Sequence, residues 1–170
     1  MTHYTCPVCH RQHEDLPHIG SDRPVHFWDV AEEERERRIK LTSDTCEIDE
    51  KYFFIRGVIE IPVFDYPQGF GFGVWVSHKE ENYRAYLERP DSADIGPFFG
   101  WLCTRISYYD RDTELLKTMA HYRGAGLRPS IVLEPCEHPL AIDQQNGISL
   151  GKALEIVHFY SDRQTEKSAS

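Results

Sequence analysis

The run Tyr52-Phe-Phe-Ile-Arg-Gly-Val-Ile-Glu-Ile-Pro-Val63 constrains the fold more than any other stretch of the chain. It is dense in aromatic and β-branched residues and alternates loosely. It therefore predicts a long strand, or one bent at Gly57, whose pairing is closed by Pro62. Turn chemistry follows over 65–71, and Phe72-Gly-Val-Trp-Val-Ser77 returns as a second strand, so the two make an antiparallel pair. On period-two counting Arg56, Val58 and Glu60 share one face of the first strand, either as a solvated salt bridge or as a polar pair beside whatever that face covers.

Around this pair the remaining pattern predicts short elements. Residues 18–28 carry Gly, Ser, Pro and aromatics without a period and read as an irregular arm. Asp29 is a candidate cap for a helix over 30–39, with acids in its first turns and arginines in its last, as the helix macrodipole favours. Glu33 with Arg37 and Glu34 with Arg38 fall at i,i+4. Ser77 can cap a second helix that ends at Pro90, with Tyr83, Tyr86 and Leu87 at helical spacing. Phe98 to Ile106 reads as a third strand, with Trp101 and Cys103 in the core. Residues 114–122 fit a short helix or a strand, and 127–133 another strand. A helix over 149–160 carries Ile148, Ala153, Ile156, Val157 and Tyr160 along one side, and the polar tail from 162 reads as frayed. The expected fold is α+β: a mainly antiparallel sheet with a few flanking helices, as one domain comprising an arm over 1–28, a core over 29–161 and the tail over 162–170.

The arm carries the most specific chemistry. Cys6-Pro-Val-Cys9-His10-Arg-Gln-His13 places two thiols two residues apart, the spacing that lets both thiolates reach one tetrahedral zinc ion. The residue after the second cysteine of such a knuckle commonly needs a positive φ, and here it is His10. Two further ligands must come from His10, His13, His18 and Cys46, of which His13 with Cys46 is the best pair. The expected metal set is thus Cys6, Cys9, His13 and Cys46, a structural zinc knuckle pinning the arm onto the sheet. The bland reading makes Cys6 and Cys9 surface thiols or a redox pair and Cys46 a small buried apolar residue.

Composition narrows the function classes. With 28 acidic against 19 basic residues the formal charge is −9, which argues against a surface that tracks phosphates and so against a nucleic-acid partner. No stretch approaches the roughly 20 apolar residues of a membrane span, and no basic start precedes an apolar run. The expectation is a soluble, cytoplasmic protein. Five cysteines including a Cys-x-x-Cys fit a reducing compartment and a metal better than a disulfide framework.

The segments Cys6-x-x-Cys9-x-x-x-His13-x-x-Leu16-Pro17, Asp44-x-Cys46-x-Ile48-Asp49, Phe53-Phe54-Ile55-Arg56-Gly57, Glu60-Ile61-Pro62-Val63, Gly73-Val74-Trp75-Val76-Ser77 and Gly100-Trp101-Leu102 together resemble the bacterial family called domain of unknown function 2199. Gly126-Leu127-Arg128-Pro129, His138-Pro139-Leu140-Ala141 and Asn146-Gly147-Ile148 resemble it too. The chain departs from that pattern at His10, where the family has Gly, and at Cys103 and Cys136, which argues that those two thiols are not ligands. The resemblance implies a one-domain protein of this layout and names no activity.

No known catalytic spacing is present. Gly69-x-Gly71-x-Gly73 lacks the following helix that a phosphate-cradling loop requires. The candidate constellation is Arg128, Glu134 and His138, an anion clamp beside an acid–base pair; the plainer alternative is that His138 caps a turn while Arg128 and Glu134 pair across it. The leading expectation is a module with structural zinc that binds a small molecule or a protein. The alternative is a zinc-dependent or His/Glu acid–base enzyme acting on a small anionic substrate. A third possibility is an interaction protein whose acidic surface meets a basic partner.

Overall fold

The computed structural model describes residues 4–6, 10–13 and 15–168. Strands β1 (Tyr4–Thr5) and β2 (Gln12–His13) pair antiparallel as a small hairpin. A 3-10 turn over Val25–Asp29 leads to α1 (Glu32–Arg38), then β3 (Ile39–Leu41), β4 (Thr45–Ile48), β5 (Tyr52–Val63) and β6 (Tyr66–His78). Next come α2 (Glu80–Glu88), β7 (Phe98–Trp101), β8 (Lys117–His121), β9 (Ser130–Leu133), α3 (Pro139–Asn146) and α4 (Leu150–Ser168). The main sheet runs β3-β4-β5-β9-β8-β7, with β6 on β5, and is antiparallel except where β5 and β9 meet at Val58 and Ser130. The expected α+β class with a mainly antiparallel sheet is what the chain adopts.

The long pair forms because its apolar residues are dense enough to bury both faces over much of its length. On β5 Phe53, Ile55, Ile59, Ile61 and Val63 are buried on one face, and Phe70, Phe72, Val74 and Val76 of β6 join them. Register holds from Phe53 opposite His78 to Ile61 opposite Phe70, and shifts between Ile61 and Val63. Pro62 sits at that shift, where its missing N–H cannot serve the ladder. Apart from Phe53 and Ile55, which cluster with Tyr83 of α2, the inner face packs with Leu102, Ala120, Ile131, Leu140 and Ile156 into the main core.

The sheet curls until its ends meet. Beyond β7 the chain bridges Leu102 to Val76 and the Cys103 amide donates to the Trp75 carbonyl (2.8 Å). The approach is so close that a Cβ on Gly100 would land on the Ser77 carbonyl. The arm covers the next part of the same β6 edge: the Ile19 and Ser21 amides donate to Gly71 and Gly73, and the Gly73 amide donates to Ile19 (2.7 Å). On the outer face Val30, Cys46, Ile48, Phe54, Trp75 and Cys103 form a second apolar cluster. Buried side chains on both sides of one strand pair explain its near-continuous apolar sequence.

Several local expectations are corrected. Asp29 ends the 3-10 turn and does not cap α1; Ala31 holds the N-cap without a side-chain hydrogen bond, and α1 stops at Arg38 because Ile39 enters β3 opposite Ile48. Of the expected helix pairs Glu34–Arg38 forms (2.9 Å), whereas Arg37 also turns to Glu34 (3.0 Å). β6 starts at Tyr66, six residues before the expected strand, because the turn needs only Phe64 and Asp65, the latter at φ 61°. Lys79, not Ser77, occupies the N-cap of α2. Trp101 points away from the core and is 40% exposed. The ambiguous 114–122 segment contains a strand, α3 occupies a stretch to which no element was assigned, and α4 continues to Ser168 through residues expected to fray.

Replacing Gly100 with alanine should force β7 off β6 and destabilise the fold by about 3 kcal/mol. Urea unfolding measures this, and an unchanged midpoint would contradict the close approach at Ser77.

Candidate functional site

The arm turns where the sequence placed its knuckle. His10 adopts φ 55°, its amide donates to the Cys6 carbonyl (2.8 Å), and the Cys6 amide donates to Arg11 (2.9 Å). Cys6 is 1% exposed and packs into the main core. Its Sγ lies 2.8 Å from Nε2 of His158, on α4 and 152 residues away. Cys9 and the His13 side chain lie outside the described residues. Cys46 is not brought to Cys6: it is fully buried in the outer cluster, and burial, with Glu47 adding, pushes its thiol up to about 12. His18 is exposed. Among the described residues no group of three or more His, Cys, Asp and Glu side chains is placed to hold a metal ion.

Arg128, Glu134 and His138 go to separate tasks. Arg128 stands before β9 and donates to Asp44 (2.7 Å). Burial works to raise the Asp44 pKa, and hydrogen bonds from Arg128 and Ser43 outweigh it, so the carboxyl is held below its ordinary range. Glu134 follows β9 and faces Lys117 at 4.0 Å. His138 is buried at the N-cap of α3, where its Nδ1 accepts from the Leu140 amide (3.1 Å), leaving Nε2–H to donate to the Arg111 carbonyl (3.2 Å). The hydrogen bonds to both ring nitrogens fix the ring in place at the cap. On β5 Arg56 reaches Asp22 (3.4 Å), and Glu60 takes Arg123 (2.6 Å).

Two further buried polar groups, Asp143 and His78, are held by partners elsewhere in the core. Asp143 of α3 accepts from Tyr109 (2.8 Å) and pairs with Lys152 of α4 (2.7 Å), which ties the two helices to the loop after β7. Burial, reinforced by Asp143, raises the Tyr109 pKa well above its ordinary value, so its proton stays in the bond. At the far end of the core His78 donates from Nδ1 to the Ser77 carbonyl (2.7 Å) and accepts at Nε2 from the Tyr122 hydroxyl (2.6 Å). Burial lowers the His78 pKa from 6.5 to about 4.

The outer face also holds a cavity of about 190 Å³ beside the end of the β5–β6 pair. Phe54, His26, Ser77 and Cys103 form its walls, and Tyr52 and Trp101, both well exposed, stand at its opening. His26 stacks on Phe54 with centroids 5.0 Å apart, and its Nδ1 is buried with no hydrogen-bond partner among the described residues. Burial pushes the Cys103 thiol up to about 12, so at neutral pH it is a protonated, weakly polar wall. Leu115 at the rim is held at φ 66°, an uncomfortable value for a branched side chain. The signal available for this site was the set of aromatic residues at the outward, even-numbered positions of the first strand. The seating of the 3-10 turn against them is tertiary and left no mark in local sequence.

The His78 geometry makes stability depend on pH with a definite sign. An unfolded chain's imidazole takes a proton below its ordinary pKa of 6.5, and the folded one does so only below about 4. Stability is therefore fully present above 6.5 and declines by about 3 kcal/mol as pH falls to about 4. Denaturant titrations between pH 7 and 4 should show this decline, and His78→Gln should flatten it.

No curated protein and no solved structure matches the chain. A family described as an uncharacterized protein conserved in bacteria does match, over residues 5–148, which takes in β2 to β9 and α1 to α3. Its extent over most of the chain is decisive: the protein belongs to the DUF2199 family of bacteria.

Proposed function

We propose that the chain is a binding module whose N-terminal arm is locked onto the core by a structural zinc ion, with His158 replacing Cys46 in the ligand set expected from sequence. The observation that carries this reading is the meeting of Cys6 Sγ and His158 Nε2 at 2.8 Å. A buried thiol facing an imidazole across 152 residues is the donor chemistry zinc prefers. Two ligands of one tetrahedral zinc stand about 3.5 Å apart, so a shift below about 1 Å at either side chain fits the ion. The positive φ at His10 supports the knuckle turn, and the apolar surroundings of Cys46 account for that thiol without a metal. Cys9 and His13 remain the other two ligands, giving Cys2His2 and a closed shell with no open position for substrate. Among the described residues no helix is long and apolar enough to cross a membrane.

Protein purified without a metal-affinity tag should carry one zinc per chain by elemental analysis. Cys6→Ser and His158→Ala should each weaken zinc retention against a chelator by about 100-fold or more, while Cys46→Ala keeps the metal. Cobalt substitution should give the visible spectrum of a tetrahedral two-thiolate site. Zinc content unaffected by both Cys6→Ser and His158→Ala would reject the reading, and loss in Cys46→Ala alone would restore the set expected from sequence.

A further inference from the structure

We infer that the cavity between the 3-10 turn and the β5–β6 end is a binding site for a small planar aromatic carboxylate. This specifies the binding half of the function proposed above and does not depend on the metal. Size comes first: about 190 Å³ lies near the ~150 Å³ of a cavity that takes up benzene and below the ~300 Å³ where drug-sized pockets begin. One ring with a short substituent fits, and a nucleotide does not.

The wall chemistry selects the ring. Phe54 and His26 already stack, and Trp101 stands at the opening, so flat faces border the space. Aromatic faces favour an aromatic occupant in offset or edge-on contact. The buried Nδ1 of His26 has no partner among the described residues, and a buried polar atom left that way is costly unless something meets it.

Charge selects the substituent. The chain carries nine more acidic than basic residues, yet the residues lining this cavity include no carboxylate and one cation, Lys51. Lys51 is exposed, with its ammonium 5.3 Å from the Tyr52 ring centroid. An ammonium at the rim of an otherwise uncharged aromatic pocket attracts an anion, and the rest of a net-negative surface repels it. A ring lying beside the stacked His26 and Phe54, between them and Trp101, with its carboxylate toward Lys51 satisfies both selections.

The test is calorimetric titration of the protein as purified with benzoate and with its neutral counterpart benzamide, accompanied by amide NMR spectra. Benzoate should bind saturably with a Kd of about 1 mM or tighter and at least about fivefold more tightly than benzamide, moving the amide signals of Tyr52, Phe54, Ser77 and Trp101. Lys51→Gln, at an exposed position that leaves the core intact, should remove the preference for benzoate and spare benzamide. His26→Leu should weaken both ligands by about tenfold. Equal affinity for the two ligands would overturn the anion assignment. Absence of saturable binding, or shifts elsewhere in the spectrum, would overturn the site. Metal content is unaffected by any of these results, so a failure here leaves the zinc reading standing and a failure of the zinc reading leaves this one.

Discussion

The β5–β6 pair is the constraint to which every other segment answers. It is longer than any single neighbour, and each unpaired backbone amide along its two outer edges must find a partner or face water. The chain meets this need in relay. Along β5 the edge passes from β4 at Tyr52 to Ile55, to Pro129 and Ser130 at Val58, and to Ile148 at Pro62 and Phe64. Along β6 it passes from the arm at Gly71 and Gly73 to Cys103 at Trp75. Short segments drawn from both ends of the sequence are thereby fixed by one hairpin.

Burial on both sides follows from that arrangement and explains where polar groups end up. The inner face is closed by helices, so His78 and Asp143 are retained only with their partners Tyr122, Tyr109 and Lys152. The outer face is closed by the arm and the 3-10 turn, a thinner layer, and it is there that packing leaves a cavity and an unpartnered imidazole nitrogen. A densely filled interior gives rigidity, and a loosely covered flank gives room for a ligand.

What the sequence disclosed was whatever is decided locally. The strand pair, α2 with its stop before Pro90, and the positive φ at His10 all follow from residue type and spacing within a few positions. Helix α3 escaped because it buries Leu140, Ala141 and Asp143 without a helical stripe; its signals were His138 as a cap, Pro139 at the first turn and Gly147 at the end. The longer β6 escaped because Gly69 and Gly71 resemble turn residues when their partners are unseen. Trp75 sits outside the main core even though it is completely buried, since a second cluster covers it. The seating of Cys46 was hidden for the same reason: it lies on β4, but which side of the sheet it occupies is a tertiary fact, and His158 offers no local hint of the arm it meets. The Arg128, Glu134 and His138 grouping rested on nearness in sequence, which a strand converts into separation along its length.

The parallel pairing of the arm with β6 also bears on how the protein stays dispersed. The edge it covers reads Gly69-Phe-Gly-Phe-Gly-Val-Trp75, uncharged and rich in aromatic residues. A strand of that kind with open amides would template the same strand of another molecule. Three backbone hydrogen bonds with Ile19 and Ser21, two donated by the arm and one by Gly73, occupy that template. The arm is therefore a guard against self-association as well as a wall, and whatever anchors its far end at Cys6 also governs how often that guard is lifted.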